Sequence, residues 1–198
     1  MKIKSIQIEN YRNILALSTD FDDVNIIWGE NAQGKTNLLE AIYLFSGAKS
    51  FRGARDKELI SFNKSNARLK IDFEAQGREQ FAQIDIGNKR TVWLNGIKKR
   101  SAAELGGVIK TIIFSPDHLN MIKEGPAERR KFVDGALCQI KSSYRNLLKE
   151  YNRSLEQRNA LLKKADEATD IEPMLEVWNI NLASIGAKII FQRMSYLK

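Results

Sequence analysis

The sequence holds one cysteine, one histidine and three prolines among its 198 residues. The single cysteine, Cys138, excludes an intrachain disulfide and favours a reducing, intracellular compartment. The single histidine, His118, gives no support for a zinc site or a nucleophilic triad. The longest apolar runs, such as residues 112–114, are far too short to span a bilayer, and the alternating N-terminus does not resemble a secretory signal. These absences predict a cytoplasmic protein with no membrane partner.

What the chain does have is an excess of positive charge. It is 43% hydrophobic and 28% charged, which suits a soluble globular protein with a real core. The formal net charge is +8. Such an excess favours an anionic partner, either a nucleic acid or a membrane surface, although many mildly basic intracellular proteins bind neither.

The first 45 residues predict strands, a glycine loop and a helix, in that order. Apolar residues alternate with polar ones over residues 3–8, with a phase slip between Ile3 and Ile6, and again over residues 15–19. Residues 24–28 form a short apolar run that predicts a strand buried on both faces. The glycine-containing loop follows at once, and residues 36–45 have the spacing of a helix with one buried side.

The middle of the chain predicts an antiparallel meander. Residues 67–97 alternate in several short runs, and Asn95-Gly96 favours a tight hairpin turn between two of them. Residues 108–114 resemble another buried strand, and Ser115-Pro116-Asp117 predicts the start of a helix.

The last third predicts a helical hairpin. One long helix is expected over residues 126–162, and a polar break follows over residues 163–170. Thr169, Glu172 and Pro173 form a helix-start signature for a second helix. The apolar seams of the two helices are spaced to match, with Val133, Leu137, Ile140, Tyr144, Leu147, Tyr151 and Leu155 on the first and Leu175, Trp178, Leu182, Ile185 and Ile189 on the second. The pattern predicts a lobe over residues 1–125 and a hairpin over residues 126–198 that begins a second lobe. Because no glycine or proline follows the last apolar residue of the second helix, the chain is expected to be a fragment.

Residues 29–36 read GENAQGKT and match the phosphate-loop pattern G-x-x-x-x-G-K-[ST]. The glycines let successive backbone N–H groups surround phosphate oxygens, and the helix that follows adds unpaired N–H donors and a partial positive charge. Lys35 would bring a full charge to the β- and γ-phosphates, and the Thr36 hydroxyl would be a ligand of Mg²⁺. A chance match is the alternative, but the apolar run before the motif and the helix after it favour a site for ATP and Mg²⁺.

The residues that hydrolysis requires are not evident. Hydrolysis needs a carboxylate on the metal and a group that orients water. The nearest candidate, Asp117, comes two residues after an apolar run and follows Pro116, so a helix cap is the favoured interpretation. No other apolar run ends in an acidic pair, and the chain is therefore expected to bind nucleotide without a complete hydrolytic site.

Three blocks of sequence together resemble the RecF family of bacterial recombinational-repair ATPases, which is similar to the SMC proteins and belongs with the ABC-type ATPases. They are IENYRN at residues 8–13, GENAQGKTNLLEAIYLFSGAKSFR at residues 29–52 and FSPDHLNMIKEGPAERRKFVD at residues 114–134. The first two would indicate only the wider SMC-like class. Ser50-Phe51-Arg52 and Arg129-Arg130-Lys131-Phe132 narrow the resemblance to RecF.

This resemblance implies a function that composition does not show. Family members bind ATP, form an ATP-dependent homodimer and bind double-stranded DNA near single-stranded gaps and junctions. With partner proteins, including a RecR-like mediator, they help to load the strand-exchange recombinase. The ATP site is shared between two subunits, and the family's signature segment and metal-binding acidic strand follow the region present here.

Transferred by position, the resemblance places ten residues near the nucleotide. Asn10 also falls where the class has groups near the nucleotide, although Asn10 and Arg12 would equally suit a surface turn between two strands. No glutamine stands at residues 115–117, so the family's γ-phosphate-sensing role is not transferred. The implied nucleotide-binding residues are Arg12, Gly29, Glu30, Asn31, Ala32, Gln33, Gly34, Lys35, Thr36 and Asn37, with Lys35 the one given a catalytic role.

The predicted long helix concentrates the positive charge. Residues 126–164 hold ten basic and four acidic side chains, a net +6. Contacts from such residues to DNA phosphates would be independent of sequence and sensitive to salt. The alternative is a solvated outer face, and Arg129 and Arg130 could instead bind internal acids. The candidate DNA-contacting residues are Arg129, Arg130, Lys141, Arg145, Lys149 and Arg153.

The pattern as a whole predicts an α/β phosphate-loop NTPase of ABC or SMC-like type. It would have a mixed sheet around the loop, an antiparallel meander beside it and an α-helical hairpin. Three functions remain open: a DNA-repair ATPase, a phosphate-loop kinase, and a structural SMC-like ATPase with a long coiled-coil arm.

Overall fold

A computed structural model describes residues 1–115, 125–163 and 171–198. The chain divides into two compact units, residues 1–115 and residues 116–198, and each is described by itself. Three of the residues discussed above, Asp117, His118 and Thr169, lie outside the described residues, as does the predicted helix start at residues 115–117 beyond Ser115.

The first unit is built on one six-stranded sheet. Its strand order is β2-β1-β3-β4-β5-β6, and all five strand pairings are antiparallel. The predicted mixed sheet is therefore wrong for the described residues, because every neighbouring pair in this sheet runs in opposite directions. The strands are β1 (Lys2–Tyr11), β2 (Ile14–Asp20), β3 (Ala67–Ala75), β4 (Arg78–Ile86), β5 (Thr91–Leu94) and β6 (Ile97–Lys99).

The predicted meander is confirmed as β3 to β6. Alternate residues of β3 and β4 point into the core, as the period-two pattern requires. Asn95 and Gly96 both have positive φ, the geometry of the tight turn that this pair favours. The register between β1 and β3 shifts between Ile3 and Ser5, which explains the slip in the alternation of β1.

Helix α1 (Lys35–Leu44) covers one face of the sheet. Leu38, Ala41 and Leu44 are buried on it, one turn apart, and pack in the same cluster as the inward residues of β1, β3 and β4. Leu39, an apolar residue of the same helix, is 46% exposed. Two short 3₁₀ helices, Asp56–Leu59 and Ala102–Gly107, complete this core through Leu59 and Leu105.

Two predicted strands are wrong. Residues 24–28 and 108–114 form no strand, and residues 24–28 carry three of the most exposed apolar side chains: Val24, Ile26 and Trp28 are 82–87% exposed. In the second run Ile109 is buried but Ile112 is fully exposed. Neither run pairs with a strand of the sheet, and a strand without a hydrogen-bonding neighbour is not formed.

The described residues of the second unit, 125–163 and 171–198, form three helices rather than the predicted two. They are α2 (Pro126–Ile140), α3 (Ser142–Lys163) and α4 (Glu172–Leu197). The expected single helix over residues 126–162 is wrong because Lys141 has an extended backbone, φ −129° and ψ 108°, which ends α2 and lets Ser142 begin α3. The seams that were predicted from spacing still meet: Leu137, Tyr144, Ile185 and Ile189 form the buried cluster of this unit, with Val133, Leu147 and Tyr151 beside it, whereas Ile140 is 53% exposed.

One ionic group joins all three helices. Arg193 of α4 donates two hydrogen bonds to the Asp134 carboxylate of α2, at 2.8 and 2.7 Å, and the Tyr144 hydroxyl of α3 donates to the same carboxylate. Burial, followed by the contact with Asp134, raises the pKa of Tyr144 above its ordinary value. The Asp134 carboxylate thereby links α2 to both α3 and α4.

Helix α4 has the length and composition of a membrane-spanning helix, and little of its apolar stretch is buried within the described residues. Core helices of globular proteins can have the same length and composition, and α4 packs along α3 through the shared apolar cluster. The predicted absence of a membrane partner stays a prediction.

Candidate nucleotide-binding site

The loop at residues 29–34 has the backbone that its glycines predict. Gly29 and Gly34 have φ of +143° and +97°, and Ala32 has φ of +66°. Gly34 immediately precedes α1, so the first N–H groups of that helix lie at the end of the loop. A Cβ atom at Gly34 would lie 2.8 Å from Oδ1 of Asn13, so a side chain at this position would have to displace the Asn13 amide. The loop and the helix N-terminus together provide the N–H donors that bind phosphate oxygens in sites of this type.

Lys35 lies within the curve of this loop. Its Nζ donates to the carbonyl oxygens of Gly29 at 2.7 Å and Glu30 at 2.6 Å. The ammonium group is therefore held next to the backbone that would surround a polyphosphate. Thr36, on the first turn of α1, is exposed, so its hydroxyl is open to a metal ion bound at the phosphates.

A chain of polar side chains supports the loop from the side. Arg52 donates to Oδ1 of Asn37 at 2.9 Å, Asn37 donates to Oδ1 of Asn13 at 2.8 Å, and Asn13 donates to the carbonyl oxygen of Ala32 at 2.8 Å. Asn37 lies beside the loop, as predicted, and its amide also connects Arg52 to Asn13. Asn13 and Arg52 were not predicted as site residues, although both lie in the blocks that carried the family resemblance.

Arg12 is held by a buried carboxylate. Its Nε and Nη2 donate to the two oxygens of Glu40 at 3.0 and 3.1 Å, and its Nη1 donates to the carbonyl oxygen of Glu58 at 3.2 Å. Glu40 is fully buried on the inner side of α1 and also accepts a hydrogen bond from the Ser50 hydroxyl. Burial alone would raise the pKa of Glu40, but the hydrogen bonds from Arg12 and Ser50 outweigh it, so the pKa lies below its ordinary value.

The turn that carries Arg12 is fixed by backbone contacts. Asn10 and Arg12 both have positive φ, 52° and 53°. The N–H of Arg12 donates to the carbonyl of Leu59, and the carbonyl of Asn10 accepts from the N–H of Ser61. The structure thus shows the turn between two strands that the sequence allowed, with the Arg12 side chain directed to Glu40.

These residues line one open cleft of about 830 Å³, a size that suits a small-molecule ligand. It includes seven of the ten predicted residues; Gly29, Glu30 and Gln33 are not part of its lining. Phe62 lies in the same lining and is 90% exposed, so the cleft offers an aromatic ring as well as cationic and N–H donors. The cleft is lined by Arg12, Asn13, Asn31, Ala32, Gly34, Lys35, Thr36, Asn37, Arg52, Lys57, Glu58, Ile60 and Phe62.

The described residues contain no cluster of three or more His, Cys, Asp or Glu side chains that could hold a metal ion by themselves. A Mg²⁺ ion at this site would therefore depend on the Thr36 hydroxyl, on water and on the phosphate oxygens of the nucleotide. Such shared coordination is the usual way in which Mg²⁺ is held beside nucleotide phosphates.

The candidate DNA-contacting residues divide into two groups. Arg129, Arg130, Lys149 and Arg153 are exposed and form no salt bridge within the described part of the chain. Lys141 and Arg145 are engaged otherwise: Lys141 donates to Gln192 at 2.7 Å, and Arg145 donates to the carbonyl of Cys138 at 3.3 Å. The first four are exposed and the other two make contacts within the unit, and DNA contact by any of the six stays a prediction.

Comparison with known proteins relates the chain to ATPases of DNA repair. The family description "AAA ATPase domain" matches residues 1–176. The DNA replication and repair protein RecF of Agathobacter rectalis is 41% identical over the whole chain, and that of Clostridium perfringens is 40% identical. Among solved structures, RecF with ATP, a recombination mediator protein of the RecFOR pathway, is 38% identical with a TM-score of 0.94 over 99% of the chain. The RecF–ATPrS structure has a TM-score of 0.93 over 98% of it.

The chain covers only part of these relatives. It spans 55% of the length of the RecF proteins of Agathobacter rectalis and Clostridium perfringens, and 54% of the two solved chains. The similarity therefore concerns their N-terminal portion.

Proposed function

Because this chain belongs to the AAA ATPase domain family and is a homologue of RecF, matching its N-terminal portion, we propose that it binds ATP with Mg²⁺ as part of a DNA-repair ATPase. The observation that carries the proposal is the loop at residues 29–34, curved at Gly29 and Gly34 around the Lys35 ammonium group and continued by the N-terminus of α1. A polyphosphate is the ligand that this combination of N–H donors and fixed charge binds best.

Each group in the cleft has a task in this proposal. The loop and the start of α1 bind phosphate oxygens, and Lys35 exchanges its two carbonyl partners for the β- and γ-phosphates. The Thr36 hydroxyl would be a ligand of Mg²⁺ bound at these phosphates. Phe62 is the aromatic surface against which the base can stack, since stacking suits an exposed ring in an open cleft.

The experiment that tests nucleotide binding is calorimetric titration of the chain with Mg·ATP. Lys35→Met removes the charge at the loop and is expected to weaken binding at least tenfold, because hydrogen bonds made by a charged donor contribute about 1.5–3 kcal/mol each. Lys89→Met is the matched control, since Lys89 is an exposed lysine on the connection between β4 and β5 and is not in the cleft lining. Equal affinity in the Lys35→Met variant and the unmodified chain would refute the proposal.

Duplex DNA is proposed as the second ligand, bound through exposed arginines and lysines of the second unit. Lys149 and Arg153 are one helical turn apart on α3, so they can follow one phosphate backbone together. Their neighbour on the same stripe, Arg145, is held by the carbonyl of Cys138 and adds less to such a surface. RecF-like binding at single-strand/double-strand junctions and an ATP-dependent homodimer belong to the same proposal.

Fluorescence anisotropy of labelled duplex DNA at several salt concentrations tests this second part. The double variant Lys149→Ala/Arg153→Ala is expected to lower the slope of log affinity against log salt by about 1 to 2, since each lost phosphate contact removes about 0.9. Lys188→Ala, which removes an exposed charge from α4, is the control. An unchanged slope in the double variant would exclude α3 as the DNA-binding surface.

In the whole protein we propose that bound ATP favours dimerisation and DNA binding, and that hydrolysis reverses both. A RecR-like mediator and the recombinase would then act on the DNA-bound form, in the cytoplasm. Size-exclusion chromatography with light scattering, in ATP and in ADP, tests this switch. A constant mass in both nucleotides would contradict it.

A further inference from the structure

A fully buried carboxylate lies behind the nucleotide cleft, and ATP binding as proposed above does not use it directly. Glu40 lies on the second turn of α1, on the face that packs on the sheet, and none of its surface is exposed. Both of its oxygens accept hydrogen bonds from Arg12, and one also accepts from the Ser50 hydroxyl. The cleft lining includes Arg12 but not Glu40.

Stability alone does not account well for this arrangement. Removing a carboxylate and a guanidinium from water costs free energy that their attraction often does not recover, and an apolar pair of similar volume is frequently as stable. What the pair does achieve is a fixed orientation of the Arg12 guanidinium. Two parallel hydrogen bonds fix the plane and the direction of a guanidinium in a way that a single contact cannot.

The hydrogen bonds of Arg12 show which part of the group is left for a ligand. A guanidinium has five N–H bonds. Two go to Glu40 and one goes to the carbonyl oxygen of Glu58. The buried Tyr11 hydroxyl lies beside the same guanidinium. The side chain is 19% exposed and belongs to the lining that also contains Lys35 and Thr36.

We propose that Glu40 is a positioning residue, which together with Ser50 holds the Arg12 guanidinium so that its remaining N–H groups bind a phosphate of the nucleotide. This inference rests on the proposed binding of ATP at residues 29–36. Ser50 contributes because its oxygen also accepts from the N–H groups of Arg52 and Ala54, which fixes the turn from which the hydroxyl reaches Glu40. The two elements on either side of α1, the turn at Arg12 and the turn at Ser50, therefore meet at one carboxylate.

The same carboxylate links α1 to the cleft in a second way. Glu40 and Lys35 are on one helix, and the N-terminus of that helix binds phosphate in the proposed site. A phosphate bound by the loop and by Arg12 would therefore be linked to α1 twice, directly at the helix N-terminus and indirectly at Glu40 on the second turn. Substitution of Glu40 is therefore expected to affect the Arg12 contact with the phosphate and to leave the loop contacts unchanged.

Calorimetric titration with Mg·ATP and Mg·ADP tests the inference in four variants: Glu40→Gln, Arg12→Ala, the double variant of both, and Ser50→Ala. Glu40→Gln keeps the volume and loses the charge, and it is expected to weaken Mg·ATP binding about tenfold. The loss is expected to vanish in the Arg12→Ala background, because Glu40 acts only through Arg12. Ser50→Ala, the milder change, is expected to weaken binding two- to threefold, and it serves if Glu40→Gln does not fold.

Asp85→Asn is the matched control. Asp85 also accepts two hydrogen bonds from an arginine, Arg68, but on the sheet and outside the cleft lining. It is expected to leave ATP affinity unchanged. Thermal unfolding of each variant sets a titration temperature at which it is fully folded, so that a purely structural effect is excluded.

The inference is overturned if folded Glu40→Gln or Ser50→Ala binds Mg·ATP as tightly as the unmodified chain. It is also overturned if Glu40→Gln weakens binding equally with and without Arg12. Failure of the proposed function has a different signature, because Lys35→Met would then retain its affinity as well.

Discussion

Replacement of Gly34 by alanine is expected to lower the free energy of unfolding for two reasons. The first is backbone strain: φ of +97° at this position lies where side chains are rarely tolerated, and the cost is about 1–2 kcal/mol. The second is steric. The new Cβ would lie 2.8 Å from Oδ1 of Asn13, so the Asn13 amide must move and its bonds with Ala32 and Asn37 weaken. At about 0.5–1.5 kcal/mol for each of these two bonds, the total loss of folding free energy is about 2–5 kcal/mol.

Gly77→Ala is a control for the backbone strain alone. It has φ of +69° in the turn between β3 and β4, and a Cβ there would meet nothing within 4 Å. Gly77→Ala is therefore expected to lose about 1–2 kcal/mol of stability with no change in ATP affinity. Gly34→Ala is expected to lose more and to bind Mg·ATP at least tenfold more weakly, because the loop carbonyl at Ala32 loses its support.

Urea denaturation followed by circular dichroism measures the stabilities, and calorimetric titration measures the affinities. Equal destabilisation of Gly34→Ala and Gly77→Ala would show that the steric contact with Asn13 contributes nothing to stability. Unchanged ATP affinity of folded Gly34→Ala would show that the Asn13 hydrogen bonds do not support the binding site.

Three further predictions follow from other parts of the structure. Phe62→Ala is expected to weaken Mg·ATP binding by about 1–3 kcal/mol while leaving inorganic triphosphate binding unchanged, because only the base can stack; equal losses for both ligands would contradict this role. Arg193→Ala is expected to destabilise the helical unit by about 1–3 kcal/mol in urea denaturation. The reason is that the Asp134 carboxylate, only 19% exposed, keeps Tyr144 but loses both hydrogen bonds from Arg193. Unchanged stability would show that the Arg193–Asp134 ion pair is dispensable. The pKa of Glu40 is lowered on folding, so the ionised carboxylate stabilises the fold above the unfolded pKa near 4.3, and this stabilisation is lost as the pH falls through the lower folded pKa. In this acidic range the free energy of unfolding of Glu40→Gln should therefore fall less than that of the unmodified chain. Parallel curves of unfolding free energy against pH would refute the assignment.

The parts of the site that depend on neighbouring residues could be predicted from the sequence. The loop at residues 29–36 is one, because its glycines, lysine and threonine act within eight consecutive positions. The hairpin turn at Asn95-Gly96 is another, since the pair itself adopts the positive φ values that the turn requires. The helical seams also follow from local spacing, and the same residues meet in the buried cluster of the second unit.

Contacts between distant positions could not be predicted in this way. Arg12 and Glu40 are 28 residues apart, and no local pattern marks Glu40 as different from a surface carboxylate of a helix. The apolar run at residues 24–28 shows the opposite error. Its composition is that of a buried strand, but a strand also needs a neighbour, and the described sheet supplies none. The break at Lys141 likewise depends on a single backbone conformation that the apolar spacing crosses without interruption.

Trp28 precedes Gly29 directly and is 87% exposed, whereas Trp93 and Trp178 are half-buried. The molecule therefore carries an optical reporter at the entrance of its phosphate loop. Quenchers dissolved in the buffer will reach this indole first, and any ligand that orders or covers the adjoining backbone will shield it. Nucleotide occupancy can thus be followed by tryptophan emission without attaching a dye.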